Sequence, residues 1–335
     1  MPSGQQPAFR VFRLLMKYIH LEVWEIEAMT LDKASRIGII GSGFVGGSLA
    51  VALSRVGYSV VAAASRRFAS AESLALRIKG CKAFTDSQDV IDVSDVVFLT
   101  TPDDLIKSIS ERLMWRSRQA AIHCSGAASL DVFDHLAEHN VIPGAFHPLQ
   151  AFMSIDEGAD SLSGITFGIE GGEEIVSFLE EMAKRLGAHP VFLSAEDKAL
   201  YHISGVMLGG LLTEYAAITT QLWEHIGRSR ADGIRALLPM MRQVANNLER
   251  FGLPEAVAGP YARGDVGTIR KHLDALRERK PELLAFYCEL ALAGMGPVEE
   301  KQVLDETTRK EIINVLKDGL LVARNMEASE EEKEE

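Results

Sequence analysis

Three glycines close together constrain this chain more than any other feature of its 335 residues. The segment RIGIIGSGFVGGSLA places Gly41, Gly43 and Gly46 in a G-x-G-x-x-G array, directly after an apolar run of strand length. Gly41 allows a tight turn, Gly43 lets the backbone approach a pyrophosphate, and Gly46 lets the next helix pack closely. The helix N terminus adds N–H donors and a partial positive charge.

This array predicts a dinucleotide-binding loop after the first strand. A glycine-rich turn in an α/β protein of another kind is the alternative. The residues predicted to contact the cofactor here are Gly41, Ser42, Gly43, Phe44, Val45 and Gly46.

Strands and helices alternate along the chain up to about residue 194. The apolar run at 36–40, a helical stretch to Val56 and a strand at 58–64 make a βαβ unit. Further strands are predicted at residues 95–100, 120–124, 141–146, 165–170 and 189–193. Because right-handed crossovers favour parallel pairing, the fold class is α/β, with a doubly wound Rossmann sheet over residues 31–194.

The second strand ends without the acidic residue that would bind a ribose 2′-hydroxyl. Ser65, Arg66 and Arg67 follow the strand instead. A guanidinium offers planar, permanently charged donors that suit a phosphate group. The sequence therefore predicts NADP, as NADPH, rather than NAD; arginines in a solvated turn are the alternative.

Polar residues also stand at the ends of later strands, at the edge of the sheet where open α/β folds bind ligands. Thr100, Thr101 and Pro102 end one strand, and Ser125 follows the next. We predict that they contact the cofactor, although the Ser125 hydroxyl is equally suited to capping a loop. His147 ends the following strand and is predicted to contact the substrate or the nicotinamide, with a purely structural role as the alternative.

After Ser194 the strand pattern stops, and residues 195–325 are predicted to form an all-helical domain. The segment EDKALYHISGVMLGGLLTEYAAITTQLW is predicted to be one helix. Glycine costs about 1 kcal/mol relative to alanine in a helix interior, so glycines that share a stripe with ionisable side chains indicate a cavity wall. Close helix packing, with Lys198 exposed, is the alternative. The stripe consists of Lys198, His202, Gly205, Gly209 and Thr213.

Composition and the chain ends limit the partners. A net charge of −12 gives no general basic field for nucleic acid or a membrane surface, so we predict a small-molecule partner. Three widely spaced cysteines predict no disulfide framework and no metal site, and favour a reducing, cytoplasmic location. No apolar run reaches the roughly 20 residues of a membrane span. Residues 1–30 are predicted to be a disordered or amphipathic leader, with translation from Met29 as the alternative, and residues 326–335 a solvated acidic tail.

The chain also resembles a known family. The segments RIGIIGSGFVGGSLA, HCSGAASL, GAFHPLQAF, DKALYHISGV and GPYARGDVGTIRKHL are similar to proteins that join a Rossmann-like NADP oxidoreductase domain to a helical domain long described as of unknown function. Their relatives include ketopantoate reductase, pyrroline-5-carboxylate reductase and the deazaflavin-dependent NADP oxidoreductases. The resemblance extends from about Arg36 to Leu290. It implies a helical domain of the 6-phosphogluconate dehydrogenase-like type, which often dimerises, so we predict a homodimer.

The chain departs from the family at one position. Members usually carry an asparagine twelve residues after the lysine of the DK pair, and this chain has Gly210 there. If that asparagine positions the substrate carbonyl or the nicotinamide amide, its replacement alters the substrate or the activity.

Reduction of a carbonyl or imine needs a proton donor and a cation for a substrate carboxylate. Lys198, His202 and His147 are the candidate proton donors. We favour Lys198, because a low-dielectric cleft between the domains would lower the pKa of its ammonium. Arg263, in the loop GPYARGD, is predicted to bind the carboxylate, with an ion pair to Asp265 as the alternative.

Gly209 is predicted to line the substrate site, and Asp265 to cap the helix that follows it. The predicted function is NADPH-dependent reduction of a small 2-oxo acid, ketopantoate-like, or of an imino acid. The alternatives are an imine or pyrroline-carboxylate reductase, an arogenate-type dehydrogenase, and an NADP-binding sensor or scaffold without turnover.

Overall fold

An eight-stranded sheet organises the first part of the chain in the computed structural model, which describes residues 31–334. The predicted leader, residues 1–30, lies outside the described residues. In chain order the strands are β1 (Arg36–Ile40), β2 (Ser59–Ala64), β3 (Lys82–Phe84), β4 (Val96–Leu99), β5 (Ala120–His123), β6 (Ile142–Pro148), β7 (Thr166–Gly171) and β8 (His189–Phe192).

The strand order is β3-β2-β1-β4-β5-β6-β7-β8. Every neighbouring pair is parallel except β6 and β7, which are antiparallel. The predicted Rossmann-type α/β fold is therefore confirmed. The prediction omitted β3, because its three residues are only partly buried and form no apolar run.

Helices cover both faces of this sheet. They are α1 (Phe44–Arg55), α2 (Phe68–Ala75), α3 (Ser87–Val93), α4 (Asp103–Ser110), α5 (Ile155–Asp160), α6 (Glu173–Arg185) and α7 (Lys198–Leu208), with a 3₁₀ segment at Leu130–His139. Along β4, Val96 and Phe98 belong to one hydrophobic cluster, whereas Val97 and Leu99 belong to another. Alternate side chains thus point into two separate cores, as expected for a mostly parallel sheet buried on both sides.

The chain divides into two compact units between Gly210 and Leu211. We expected a boundary near residue 194. The division falls later because α7 belongs with the sheet, where its first residue, Lys198, is buried beside Glu170 of β7.

The second unit is helical. Its helices are α8 (Gly210–His225), α9 (Arg230–Phe251), α10 (Pro260–Arg263), α11 (Val266–Arg279), α12 (Leu284–Ala293), α13 (Met295–Glu300) and α14 (Glu306–Glu334). Side chains of α11, α12 and α14 form its core, including Ile269, Leu284, Cys288 and Ile312. The last helix continues through the segment predicted to be an acidic tail. No helix in residues 31–334 is both long and apolar enough to cross a bilayer.

The prediction of one helix from Glu196 to Trp223 is wrong. The backbone leaves the helical region at Gly209, where φ is −97° and ψ is −89°, and α8 starts at the next residue. Two consecutive glycines allow this break because neither has a side chain to restrict the backbone. The predicted stripe is therefore interrupted: Lys198, His202 and Gly205 share α7, Gly209 is the break, and Thr213 lies on α8.

Candidate functional site

The loop between β1 and α1 has the geometry that its glycines predict. Gly41 has φ of +111°, a conformation that other residues rarely adopt, and its N–H donates to the Ala64 carbonyl at 2.9 Å. A methyl group on Gly46 would lie 2.2 Å from both the Gly41 carbonyl oxygen and the Thr100 hydroxyl. Only glycine therefore lets α1 start so close to β1. A methyl group on Gly43, in contrast, would meet no described atom within 4 Å.

An open groove of about 540 Å³ lies beside this loop. Ser42, Gly43 and Phe44 line one wall, and Arg67 lies on the other with the first turns of α2. The Ser42 hydroxyl is buried and has no hydrogen-bond partner in the described part of the chain. The neighbouring residues Ser65, Arg66 and Val45 are not among those that line the groove.

Arg66 and Arg67 are both exposed. No carboxylate among the described side chains lies within ion-pair distance of either guanidinium. The two positive charges are thus not neutralised by described carboxylates, although only Arg67 faces the groove.

The polar residues after β4 and β5 differ in how they are bonded. The Thr100 hydroxyl donates to the Gly41 carbonyl at 2.5 Å, and so holds the glycine loop. The Thr101 hydroxyl is buried without a partner among the described residues, next to Pro102, the N-cap of α4. The Ser125 hydroxyl donates to Asp103 Oδ2 at 2.6 Å and accepts the N–H of Ala128 at 2.9 Å. These bonds are those of a loop cap, the alternative considered for Ser125.

His147, on β6, contacts two consecutive residues of α7. Its ring centroid lies 5.6 Å from that of Tyr201 and 5.7 Å from that of His202, each nearly perpendicular to it. Gly126, in the loop after β5, packs its backbone against both histidines. A methyl group on Gly126 would lie 2.4 Å from His202 Cδ2 and 2.7 Å from His147 Nε2. The structure thus brings together two of the three predicted catalytic side chains.

A cavity of about 500 Å³ opens beside these rings. Its walls include His147 and His202, and the Gly205, Gly209 and Gly210 backbone. The small residues of the predicted stripe therefore line a cavity as far as Gly209. A methyl group on Gly210 would meet no described atom within 4 Å, so the missing family asparagine leaves open space.

Lys198 lies behind this cavity and is not among the residues that line it. Its side chain is 2% exposed, and its Nζ lies 3.1 Å from Oε2 of Glu170, whose side chain is 11% exposed. The two side chains form a buried ion pair. Burial lowers the pKa of Lys198, and the neighbouring Glu170 carboxylate opposes that change. The alternative of an exposed Lys198 is therefore wrong.

Glu170 was not predicted as a site residue. It ends an apolar strand segment, FGIE, and a charged residue at the end of a buried strand was the available signal. The strand register shows its position: Glu170 pairs with Ala145, Ala145 with His123, and His123 with Leu99. Glu170 thus lies in the row that contains the last residues of β4 and β5, Leu99 and His123.

Burial and the Lys198 charge control the other ionisable groups of this edge. Burial, together with the charges of His202 and Lys198, lowers the pKa of His147 to about 4. Burial and Lys198 lower the pKa of His123 to about 3. Both imidazoles are therefore neutral at pH 7. Burial raises the pKa of the Cys124 thiol to about 12, so this thiol is a poor nucleophile.

Arg263 belongs to the second unit. It was predicted to lie in a loop, but it is the last residue of α10, because Pro260 fits the first turn of a helix. The Asp265 carboxylate accepts the N–H of Thr268 at 3.0 Å, which confirms Asp265 as the N-cap of α11. No carboxylate within the described residues forms an ion pair with Arg263, which is exposed.

Two family models match the chain: a Rossmann-like domain over residues 26–148, and a domain of unknown function, DUF2520, over residues 165–293. No curated protein matches it in sequence.

Solved structures with the same fold include a protein from Bacteroides fragilis named as an NADP oxidoreductase, with a TM-score of 0.63 and 24% identity over 78% of this chain and 98% of that one. A reductive aminase from Aspergillus terreus, in complex with NADPH and ethyl levulinate, has a TM-score of 0.53 and 14% identity, covering 73% of this chain and 87% of that one. A 1-pyrroline-5-carboxylate reductase from Streptococcus pyogenes has a TM-score of 0.53 and 16% identity, covering 86% and 99%. The chain therefore joins a Rossmann-like domain to a DUF2520 domain.

Proposed function

We propose that this protein is an NADPH-dependent oxidoreductase that reduces a small 2-oxo or imino acid. The observation that carries the proposal is a set of buried polar atoms without hydrogen-bond partners at the carboxyl edge of the sheet. A buried polar group left unpaired costs about 1–3 kcal/mol, so a group of them is expected where ligands supply the missing bonds. The atoms belong to Ser42, Thr101 and His123.

The groove beside α1 suits NADPH. The N terminus of α1, the free space above Gly43 and the unpaired Ser42 hydroxyl fit a pyrophosphate, while Arg67 faces the groove and suits a 2′-phosphate. Similar solved structures include proteins named as NADP oxidoreductases or bound to NADPH. When bound, the cofactor would supply a hydride to the substrate.

We expect NADPH to bind at least about tenfold more tightly than NADH, a difference of about 1.4 kcal/mol. Arg67→Ala should remove most of this preference, because Arg67 faces the groove. Arg66→Ala is the matched control, since it deletes the same charge outside the groove and should have a smaller effect. Fluorescence titration of both cofactors would measure this. Equal affinities for NADPH and NADH in the wild type, or an unchanged preference in Arg67→Ala, would refute the assignment.

The histidines divide the work of substrate binding and protonation in this proposal. His202 and His147 line the cavity, so we assign proton donation to His202 and hydrogen bonding of the oxo or imino group to neutral His147. This differs from the sequence-based preference for Lys198, which does not line the cavity. Lys198 instead acts through its charge. Its ammonium lies beside Glu170 and lowers the pKa of His147.

The substrate class has a second candidate. The reductive aminase and the pyrroline-5-carboxylate reductase among the similar structures favour a C=N bond over a C=O bond. An arogenate-type dehydrogenase has no specific observation in its favour. Arg263 as the carboxylate-binding residue stays a prediction.

Turnover with a panel of small 2-oxo and cyclic imino acids tests the proposed function. We expect NADPH oxidation with at least one of these acids. Lys198→Met should reduce turnover by less than about tenfold, below the range of direct acid–base effects, because Lys198 acts only through its charge near His147, and the affinity for NADPH should stay the same. The pKa of His147, followed by NMR, should rise above about 4 in this variant, because the opposing positive charge is lost.

Lys184→Met, which removes a lysine from an exposed ion pair with Glu180 on α6, is the matched control for the loss of a positive charge. Tight NADPH binding without turnover on any acid of the panel would favour the sensor or scaffold alternative. A wild-type pKa of His147 near 6.5 would contradict the electrostatic argument.

We also propose that the protein is a homodimer assembled through α9. The structure describes all 22 residues of this helix, and Gly233 is the only one of them that is buried. Four apolar side chains are between 43% and 60% exposed: Met240, Val244, Leu248 and Phe251. A long helix with this much exposed apolar surface is typical of an interface. A second copy of the chain is the occupant that we propose.

Analytical ultracentrifugation tests the dimer. The wild type should sediment as a dimer, and a Val244→Glu, Leu248→Glu double variant as a folded monomer, because two carboxylates would be buried in an apolar interface. Asn246→Glu, on another side of the same helix, should remain dimeric. A monomeric wild type at micromolar concentration would exclude the proposal.

A further inference from the structure

Tyr201, on α7, contacts the ring of His147 both through its hydroxyl group and through its own ring. The Tyr201 hydroxyl oxygen lies 3.2 Å from His147 Nδ1, and the two rings meet edge to face. The tyrosine ring packs against the backbone of β7, where a methyl group on Gly168 would lie 3.0 Å from it. Gly168 is also the residue that pairs with His147 between β6 and β7.

The direction of this hydrogen bond follows from what the hydroxyl can reach. A neutral imidazole has one N–H donor and one acceptor nitrogen, and which nitrogen carries the proton depends on their partners. Among the described side chains, His147 Nδ1 is the acceptor that the Tyr201 hydroxyl reaches. This contact is partly buried, and an O–H shielded from water without an acceptor is unfavourable, so the hydroxyl donates to Nδ1. Burial also raises the pKa of Tyr201 to about 12, so the hydroxyl keeps its proton.

The other ring nitrogen then carries the proton. His147 Nε2 faces Gly126 and the ring of His202, at the cavity that both histidines line. With Nδ1 occupied by the tyrosine, Nε2–H is a fixed donor at this wall. An oxo oxygen or an imino nitrogen has the lone pair that such a donor needs.

We propose that Tyr201 is a positioning residue that fixes His147 in the Nε2–H tautomer, so that His147 donates a hydrogen bond to the oxo or imino group of the substrate. The role in the reaction rests on the proposed function. The tautomer itself does not, because it follows from contacts within the protein.

The tautomer is measured directly by ¹⁵N NMR of the histidine rings of the full-length protein at pH 7, well above the pKa of His147. The His147 signals are assigned by their loss in His147→Gln. The wild type should show a protonated Nε2 and an unprotonated Nδ1. Tyr201→Phe keeps the aromatic ring but loses the donor, so it should shift the tautomer ratio by about fivefold or more, the effect of one ordinary hydrogen bond. Tyr58→Phe, which removes a hydroxyl in the same unit but away from His147, should leave the ratio unchanged.

Kinetics separate this inference from the proposed function. With a turned-over acid, Tyr201→Phe should lower kcat by about fivefold without changing the NADPH affinity. A wild-type His147 protonated at Nδ1, or the same tautomer ratio in Tyr201→Phe as in the wild type, would overturn the inference. Absence of turnover in the wild type with the expected tautomer would overturn the proposed function and leave the role of Tyr201 in fixing the ring intact.

Discussion

The shared register of the strands at one edge of the sheet is the constraint on which the site depends. Ile40 of β1 pairs with Leu99 of β4, and Leu99 pairs with His123 of β5. The row continues through Ala145 of β6 to Glu170 of β7. Parallel strands run in the same direction, so the loops that follow them lie at the same edge of the sheet. This edge therefore carries the glycine loop, the threonines after β4, His123 at the end of β5 and His147 on β6, although these residues are distant in sequence.

Burial gives this edge its electrostatic character. Transfer of an ion from water into a protein costs several kcal/mol, and a partner of opposite charge offsets that cost. Lys198 enters the protein at the first residue of α7 and meets Glu170 there. Burial lowers the pKa of His147 and of His123, and the positive charge of Lys198 lowers both pKa values further. Burial, assisted by the Lys198 charge, thus keeps the neighbouring imidazoles neutral.

Local sequence patterns predicted the features that depend only on neighbouring residues in the chain, such as glycine turns, buried strands and a helix cap. Gly41 and Gly46 are where backbone conformation and close packing require glycine, and the apolar runs predicted seven of the eight strands. The cap at Asp265 followed from its own segment. The strand β3 and the break at Gly209 were missed, because a three-residue edge strand has no periodicity and a glycine pair is compatible with a helix or a break.

The other omissions concern residues whose importance arises from pairing across the sheet. Glu170 becomes a site residue only because β7 reverses direction beside β6 and brings its carboxylate to Lys198. Tyr201 contacts His147 because α7 lies beside β6, a contact between residues 54 positions apart. No local pattern contains such information. The family resemblance, in turn, identified segments typical of the family but no contacts between residues.

The central claim is that the loop at residues 41–46 binds NADPH, and isothermal titration calorimetry of Gly43→Val tests it most directly. A side chain on Gly43 would meet no described atom within 4 Å, so a valine should not disturb folding but should occupy the volume of the pyrophosphate. We predict that Gly43→Val keeps the wild-type melting temperature and loses NADPH binding, whereas Gly43→Ala, with a single methyl group, loses less. A Gly43→Val protein that binds NADPH with wild-type affinity would contradict the account.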